Sequence, residues 1–286
     1  MRKPGLHKKL HDRKLPQTVL KAIRNRHGHR PLSDNIPDGD TIIASYNVHK
    51  CIGVDKKFDP ERTVEVISEL NADIVAIQEA DKRFGERSGL LDLQSLERDS
   101  GLVPVPIQAM SPTGHGWHGN LLLIRHGLIR DIQQLKLPGV EPRGAVVADI
   151  DFEDGPLRII AAHFGLLKHS RSRQAETLLS MIKEDTDRPT ILIGDLNEWR
   201  IGKGSSLATL QPAFNLTAGA VPSFPSRFPV LALDRILSRP QKLVTSVEVH
   251  NTPLARLASD HLPIKAHLDL KAVFEPHENM PEPAQY

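Results

Sequence analysis

Between residues 40 and 272 the chain repeats one pattern: short apolar runs of four to seven residues, rich in β-branched and aliphatic side chains and closed by turn residues. TIIASYN, DIVAIQE, GNLLLI, GAVVADI, LRIIAAHF, TILIGDLN, LALDRIL and LVTSVEV are of strand length and strand composition. The last apolar segment is different in kind. Leu262, Ile264, Ala266, Leu268 and Leu270 alternate with polar residues, which predicts a strand with one buried face. Two helices interrupt the series. Asp59-Pro60 supplies an N-cap and a proline at the first helical position, ahead of Val64, Ile67 and Leu70. Ala175, Leu178, Leu179 and Ile182 form an apolar stripe at helical spacing. Many strands with few helices predict an α/β fold of packed mixed sheets flanked by helices, for which a regularly alternating βα pattern is the poorer description.

The polar residues matter most where the apolar runs stop. IIASYN closes on Asn47, IVAIQE on Glu79 and ILIGDLN on Asp195 and Asn197, while IIAAHF leads into His163. A carboxylate or amide beside a dry core costs free energy unless it is bound by something. If these strand ends share a rim, they form a pocket of oxygen ligands with an imidazole beside it. Asp195 and Asn197 are expected to project from one side, with Leu196 turned into the packing. Asp260 and His261 are consecutive and sit just before the alternating strand. Asp234, inside an otherwise apolar LDRIL, needs a partner; His261 is one, and Arg235 or a backbone amide is the alternative.

Composition narrows the chemistry. One cysteine, Cys51, excludes an internal disulfide framework and any multi-cysteine zinc site. Carboxylates and amides without thiols favour a hard divalent cation, Mg²⁺ or Mn²⁺. Such a cation beside histidines suits phosphate ester hydrolysis. No apolar run has membrane-span length and the N-terminus lacks a signal-peptide core, so a cytoplasmic location is the expectation. The net charge of +2 conceals an asymmetry: residues 1–30 hold ten Lys/Arg against Asp12 alone. Residues 1–37 therefore read as a basic, partly disordered arm that either contacts a polyanion or serves as a solvated leader. The body spans 38–272, and the proline-rich 273–286 reads as a flexible tail.

Together these segments resemble the endonuclease/exonuclease/phosphatase superfamily. SYNVHK, AIQE, HGNLLLI, RGAVVADI, AAHFG, GDLN, LDRIL and SDHLPI occur in the family's order from Ile42 to Leu270. The resemblance is nearest to a small uncharacterised bacterial branch. It implies a deoxyribonuclease I-like, four-layer sandwich of two mixed β-sheets flanked by helices, with the active site at one edge. By motif it assigns Glu79, Asn47 and Asp260 to the metal, Asp195 to the attacking water and Asn197 to the phosphate. His163 would touch the phosphate or protonate the leaving group, and His261, paired with Asp234, would stabilise the transition state. Asn120 falls where the family places a further polar group. No carboxylate partner for His163 is evident.

Other positions stay open at this level. His49, with Lys50 beside it, and Arg143 are candidate phosphate contacts, Arg143 having a structural reading as well. His115 and His118 line the cleft or are merely solvated. Trp199 and Arg200 shape the cleft wall, unless the tryptophan packs in the core. His267 reads as surface. The substrate classes are nucleic acid, which the basic arm favours, and a phospholipid head group or small phosphate ester. A silent phosphate-binding module is a third reading, and no obligate protein partner is indicated.

Overall fold

Two β-sheets stacked face to face carry the site. The computed structural model describes residues 41–274 apart from 83–84, 185–187 and 218. The N-terminal arm and the tail beyond Phe274 lie outside the described residues. In chain order the first strands are β1 Thr41–Asn47, β2 Ile74–Gln78, β3 Val103–Pro104, β4 Leu121–Ile124, β5 Leu128–Leu137 and β6 Arg143–Phe152. They are followed by β7 Gly155–Ala162, β8 Thr190–Asp195, β9 Asp234–Arg239, β10 Val244–Val249 and β11 Ile264–Leu268. One sheet has the order β10-β11-β1-β2-β4-β3 and the other β5-β6-β7-β8-β9. Both are mixed: β1 and β2 are parallel, as are β7 and β8, among antiparallel neighbours.

Strand periodicity builds the layers. Ile43, Ala76, Leu122 and Ala266 of the first sheet meet Val146, Ile159, Ile193 and Ile236 of the second in the central core. The opposite face of the first sheet, including Tyr46, Val75 and Leu123, is covered by α1 Pro60–Glu69 and α2 Leu93–Ser100. On the second sheet, Val147, Ile160 and Leu192 are covered by Ala175, Leu178 and Ile182 of α3 Lys168–Glu184. The four-layer α/β sandwich expected from sequence is thus present. Asp59 caps α1 by accepting from the Arg62 amide, with Pro60 in the first turn.

Some local expectations need correction. Helix α2 lacked a clear apolar stripe in the sequence, and the short helix α4 Pro253–Ala258 was also missed. LALDRIL is a strand only from Asp234 onward, so that carboxylate stands at a strand end rather than inside one. A last helix, α5 Lys271–Phe274, carries Val273 onto the core.

Candidate active site

Strand direction gathers the polar residues. Parallel β1 and β2 end side by side, Asn47 opposite Gln78, and Glu79 follows at once. Parallel β7 and β8 end at Ala162 and Asp195, so His163 emerges beside Asp195. Antiparallel β9 begins at Asp234 directly opposite Asp195. Strands β6, β4 and β11 are antiparallel to neighbours that end here, so Arg143, Asn120 and the Asp260-His261 pair enter from the same edge. Open α/β sheets characteristically bind ligands outside the carboxyl ends of their strands.

Asp195 is the hub, and it is buried. Its Oδ2 accepts from Asn47 Nδ2 at 2.9 Å, with His163 Nε2 at 3.4 Å and His261 Nε2 at 3.9 Å. Its Oδ1 accepts from the Asn197 amide at 2.9 Å. Burial alone would raise this carboxyl's pKa, but the imidazoles of His261 and His163 and the Asn47 amide hold it well below the usual range. Asp195 is therefore an anion at neutral pH. The partner of His163 that sequence left unassigned is Asp195 itself.

His261 is also buried, with Nδ1 2.8 Å from Asp234 Oδ2. Ser223 Oγ donates to the same carboxylate oxygen. Burial would lower the imidazole, yet Asp234 and Asp195 outweigh it and push the pKa up to about 10. The Arg235 alternative for Asp234 is not adopted: Arg235 Nη2 donates to the Glu198 carbonyl. Ser259 fastens this loop to β1, donating through Oγ to the Asn47 carbonyl at 2.7 Å and accepting from the His261 amide.

Across the mouth, Glu79 meets Lys50 Nζ at 2.6 Å. His49, Lys50 and Cys51 all have positive φ (46°, 56° and 58°), and Glu79 has φ 60°. A run of non-glycine residues in the left-handed region is costly and marks a segment held in place by its surroundings. Burial would raise the Glu79 carboxyl, but His163, Lys50 and Arg143 bring it below its ordinary value. Arg143 is buried and bridges Glu141 and His163. Its Nε and Nη2 pair with Glu141, while Nη1 lies 2.8 Å from the ring nitrogens of His163. Asn120 donates from Nδ2 to the Trp117 and Gly144 carbonyls, which leaves its buried Oδ1 without a hydrogen-bond partner among the described residues.

The remaining candidates divide. Asp260 reaches the rim beside His49, Oδ1 to Nδ1 3.7 Å. Asn197 leaves the strand at φ 51° and donates from Nδ2 to the Phe164 carbonyl, while Leu196 is fully buried as expected. Trp199 is half exposed with Arg200 over its ring, so it does not pack in the core. Neither loop histidine is merely solvated. His115 Nε2 lies 2.8 Å from the Leu91 carbonyl. His118 is buried beside Arg87, which forks onto Asp81; burial and then Arg87 push its pKa down to about 4. Sequence reasoning missed Ser223, Ser259 and the fully buried Glu198. Glu198 accepts from the Ser206 amide and hydroxyl and meets Arg171 at 3.3 Å, behind the Asp195-Asn197 turn. Only Ser259 carried a signal, its place immediately before Asp260-His261.

The donor set fits a hard cation. Glu79, Asn47, Asp260 and Asp195 offer only oxygen, and the Lys50 ammonium already stands against Glu79 as a positive charge would. Cys51 is withdrawn from ligation: burial pushes its thiol up to about 11. Asp195, Asp234 and His261 also place ligand atoms within 4.8 Å of one another. Because His261 is held as a cation through Asp234, that trio suits proton retention better than metal binding.

Residues 44–261 match the model of the Endonuclease/Exonuclease/phosphatase family. The endonuclease/exonuclease/phosphatase from Beutenbergia cavernae is 19% identical, over 81% of this chain and 72% of that one, with TM-score 0.64. TDP2 of D. rerio, solved with a single-strand DNA product, is 17% identical over 80% and 99%, TM-score 0.59. A mannosyl-6-phosphatase of Bacteroides thetaiotaomicron is 17% identical over 79% and 98%, TM-score 0.58. These likenesses are of fold. No match was found among curated proteins.

Proposed function

The chain belongs to the Endonuclease/Exonuclease/phosphatase family, a family of phosphoester hydrolases, and on that premise we propose that it cleaves a phosphodiester by in-line attack of water, assisted by a divalent cation. The observation that carries this reading is Asp195: a buried anion touching Asn47, His163 and His261 at the meeting point of the two sheet edges. Asp195 orients the water and takes its proton as the water oxygen bonds to phosphorus. The bond from phosphorus to the leaving oxygen breaks, and the departing alkoxide takes a proton from solvent, which balances the one passed to Asp195. His261, kept protonated by Asp234, donates through Nε2 to a phosphoryl oxygen as negative charge builds there. His163, with Arg143 against its ring, contacts the leaving or a non-bridging oxygen. Asn197 supplies a further amide contact to the phosphate and His49 lines the mouth, while Asn120, whose Nδ2 is spent on the Trp117 and Gly144 carbonyls, offers only its acceptor oxygen. Glu79, with Asn47 and Asp260 beside it, would hold Mg²⁺ or Mn²⁺, which when bound neutralises phosphoryl charge.

Hydrolysis of bis-p-nitrophenyl phosphate with Mn²⁺ is the test. Activity abolished by chelator, and reduced at least about 100-fold by His261→Ala, is the expected result. A folded, Mn²⁺-supplemented protein without activity on any phosphodiester or phosphomonoester would overturn the proposal. The nuclease reading draws on the basic arm and on the DNA-bound TDP2 neighbour. The second reading, a lipid-borne phosphate ester, draws on Phe228, Leu166 and Leu167, which are large apolar side chains left exposed.

A further inference from the structure

Among the eleven large hydrophobic residues that are exposed in the described residues, Phe58, Val140, Leu166, Leu167, Trp199, Phe228 and Leu257 lie on segments at the active-site edge. Isolated surface apolar residues are ordinary; concentration around one mouth is not. On one side, Phe228 is 75% exposed at the tip of a turn closed by the Phe224–Leu231 bridge. That turn is tied to the catalytic loop, the Ser226 amide donating to the Asp260 carbonyl and Ser226 Oγ to those of Arg256 and Ser259. Leu257 and Phe58 lie beside it, because the Val54 amide donates to the Leu257 carbonyl. On the other side, Val140 tops the β5–β6 turn at 81% exposure. It adjoins exposed Leu166 and Leu167, since Glu141 accepts from the Leu166 amide.

Charge accompanies these groups. Exposed Lys57, Arg227 and Arg256 are chain neighbours of the first set, and Lys168 of the second. Trp199, beyond Asn197, carries Arg200 over its ring. Apolar side chains interleaved with cations are what an anionic bilayer selects: the former enter the acyl boundary while the latter stay at the head groups. Nucleic acid fits less well, because four of these groups are aliphatic and offer no stacking face. We propose that the active-site edge docks on an anionic lipid surface and that the substrate is a phosphodiester presented there. This rests on the phosphodiesterase reading for its chemistry, though not for its binding. The described residues begin at Thr41, where β1 starts on the opposite edge.

The test is sedimentation of the full chain with vesicles of phosphatidylcholine alone or with 30 mol % phosphatidylglycerol. Preferential binding to the anionic vesicles is expected, with Trp fluorescence quenched by brominated acyl chains. A variant combining Phe228→Ser, Leu166→Ser and Leu167→Ser should bind at least about tenfold more weakly. It should still hydrolyse soluble bis-p-nitrophenyl phosphate at the unaltered rate, which also shows that it is folded. Unchanged vesicle binding by this variant would overturn the proposal. So would binding abolished by deleting residues 1–30 alone, loss of single-stranded DNA affinity in place of lipid affinity, or conversion of a dimer to a monomer. Vesicle binding without hydrolysis of any phosphodiester would instead sink the chemistry and leave the docking intact.

Discussion

Asp234→Asn isolates the charge pair on which the proposed chemistry turns. The substitution keeps the shape of a fully buried side chain but removes the anion beside His261 Nδ1. Raising that imidazole from 6.5 to about 10 corresponds to about 5 kcal/mol of preference for the cation. Asp195 supplies part of this, so neutralising Asp234 should cost about 3 kcal/mol, the low end for breaking a buried ion pair. The sign with pH follows from linkage. A folded-state pKa above the unfolded value stabilises fully below about 6.5, and the contribution is lost as pH rises through about 10. Native protein should therefore lose stability between pH 6.5 and 10, and the variant should show a much smaller decline. In the variant, burial is opposed by Asp195 and, more weakly, Asp260, so the imidazole should be largely neutral at pH 8 and the rate there should fall about 10²–10³-fold. Denaturant melts across the pH range, with histidine titrations by NMR and rates on bis-p-nitrophenyl phosphate, measure all three. A His261 titration and pH–rate profile unchanged by the substitution would refute the assignment of Asp234 as the group that holds the proton.

Two further substitutions address other parts of the site. Glu79→Gln should weaken Mn²⁺ binding by at least about tenfold, read by electron paramagnetic resonance without substrate; a neutral amide is a poorer ligand for a hard cation. Retained affinity would move the metal away from Glu79. Glu198→Gln should destabilise the fold by about 3 kcal/mol in urea melts, since it leaves buried Arg171 facing a neutral group. A change under about 0.5 kcal/mol would mean that this network does not brace the Asp195-Asn197 turn.

Much of this protein could be read from its chain because the information was local. Strand-length apolar runs, the Asp59-Pro60 start of α1 and the helical stripe at Ala175–Ile182 each record one short-range preference, and all reappear in the fold. The order of the polar strand ends likewise marked which residues were candidates, and the Asp234–His261 pair was anticipated from a lone carboxylate needing a partner. Which of them meet was decided by pairing across long stretches of sequence. Asn47 reaches Asp195 148 positions away because β1 and β8 end at the same edge of facing sheets. No local pattern encodes that distance, nor the Asp195 contact of His163, nor the burial that sets its charge. The rim of exposed apolar and cationic side chains has the same origin: each was an ordinary loop residue until sheet stacking placed all of those loops around one mouth.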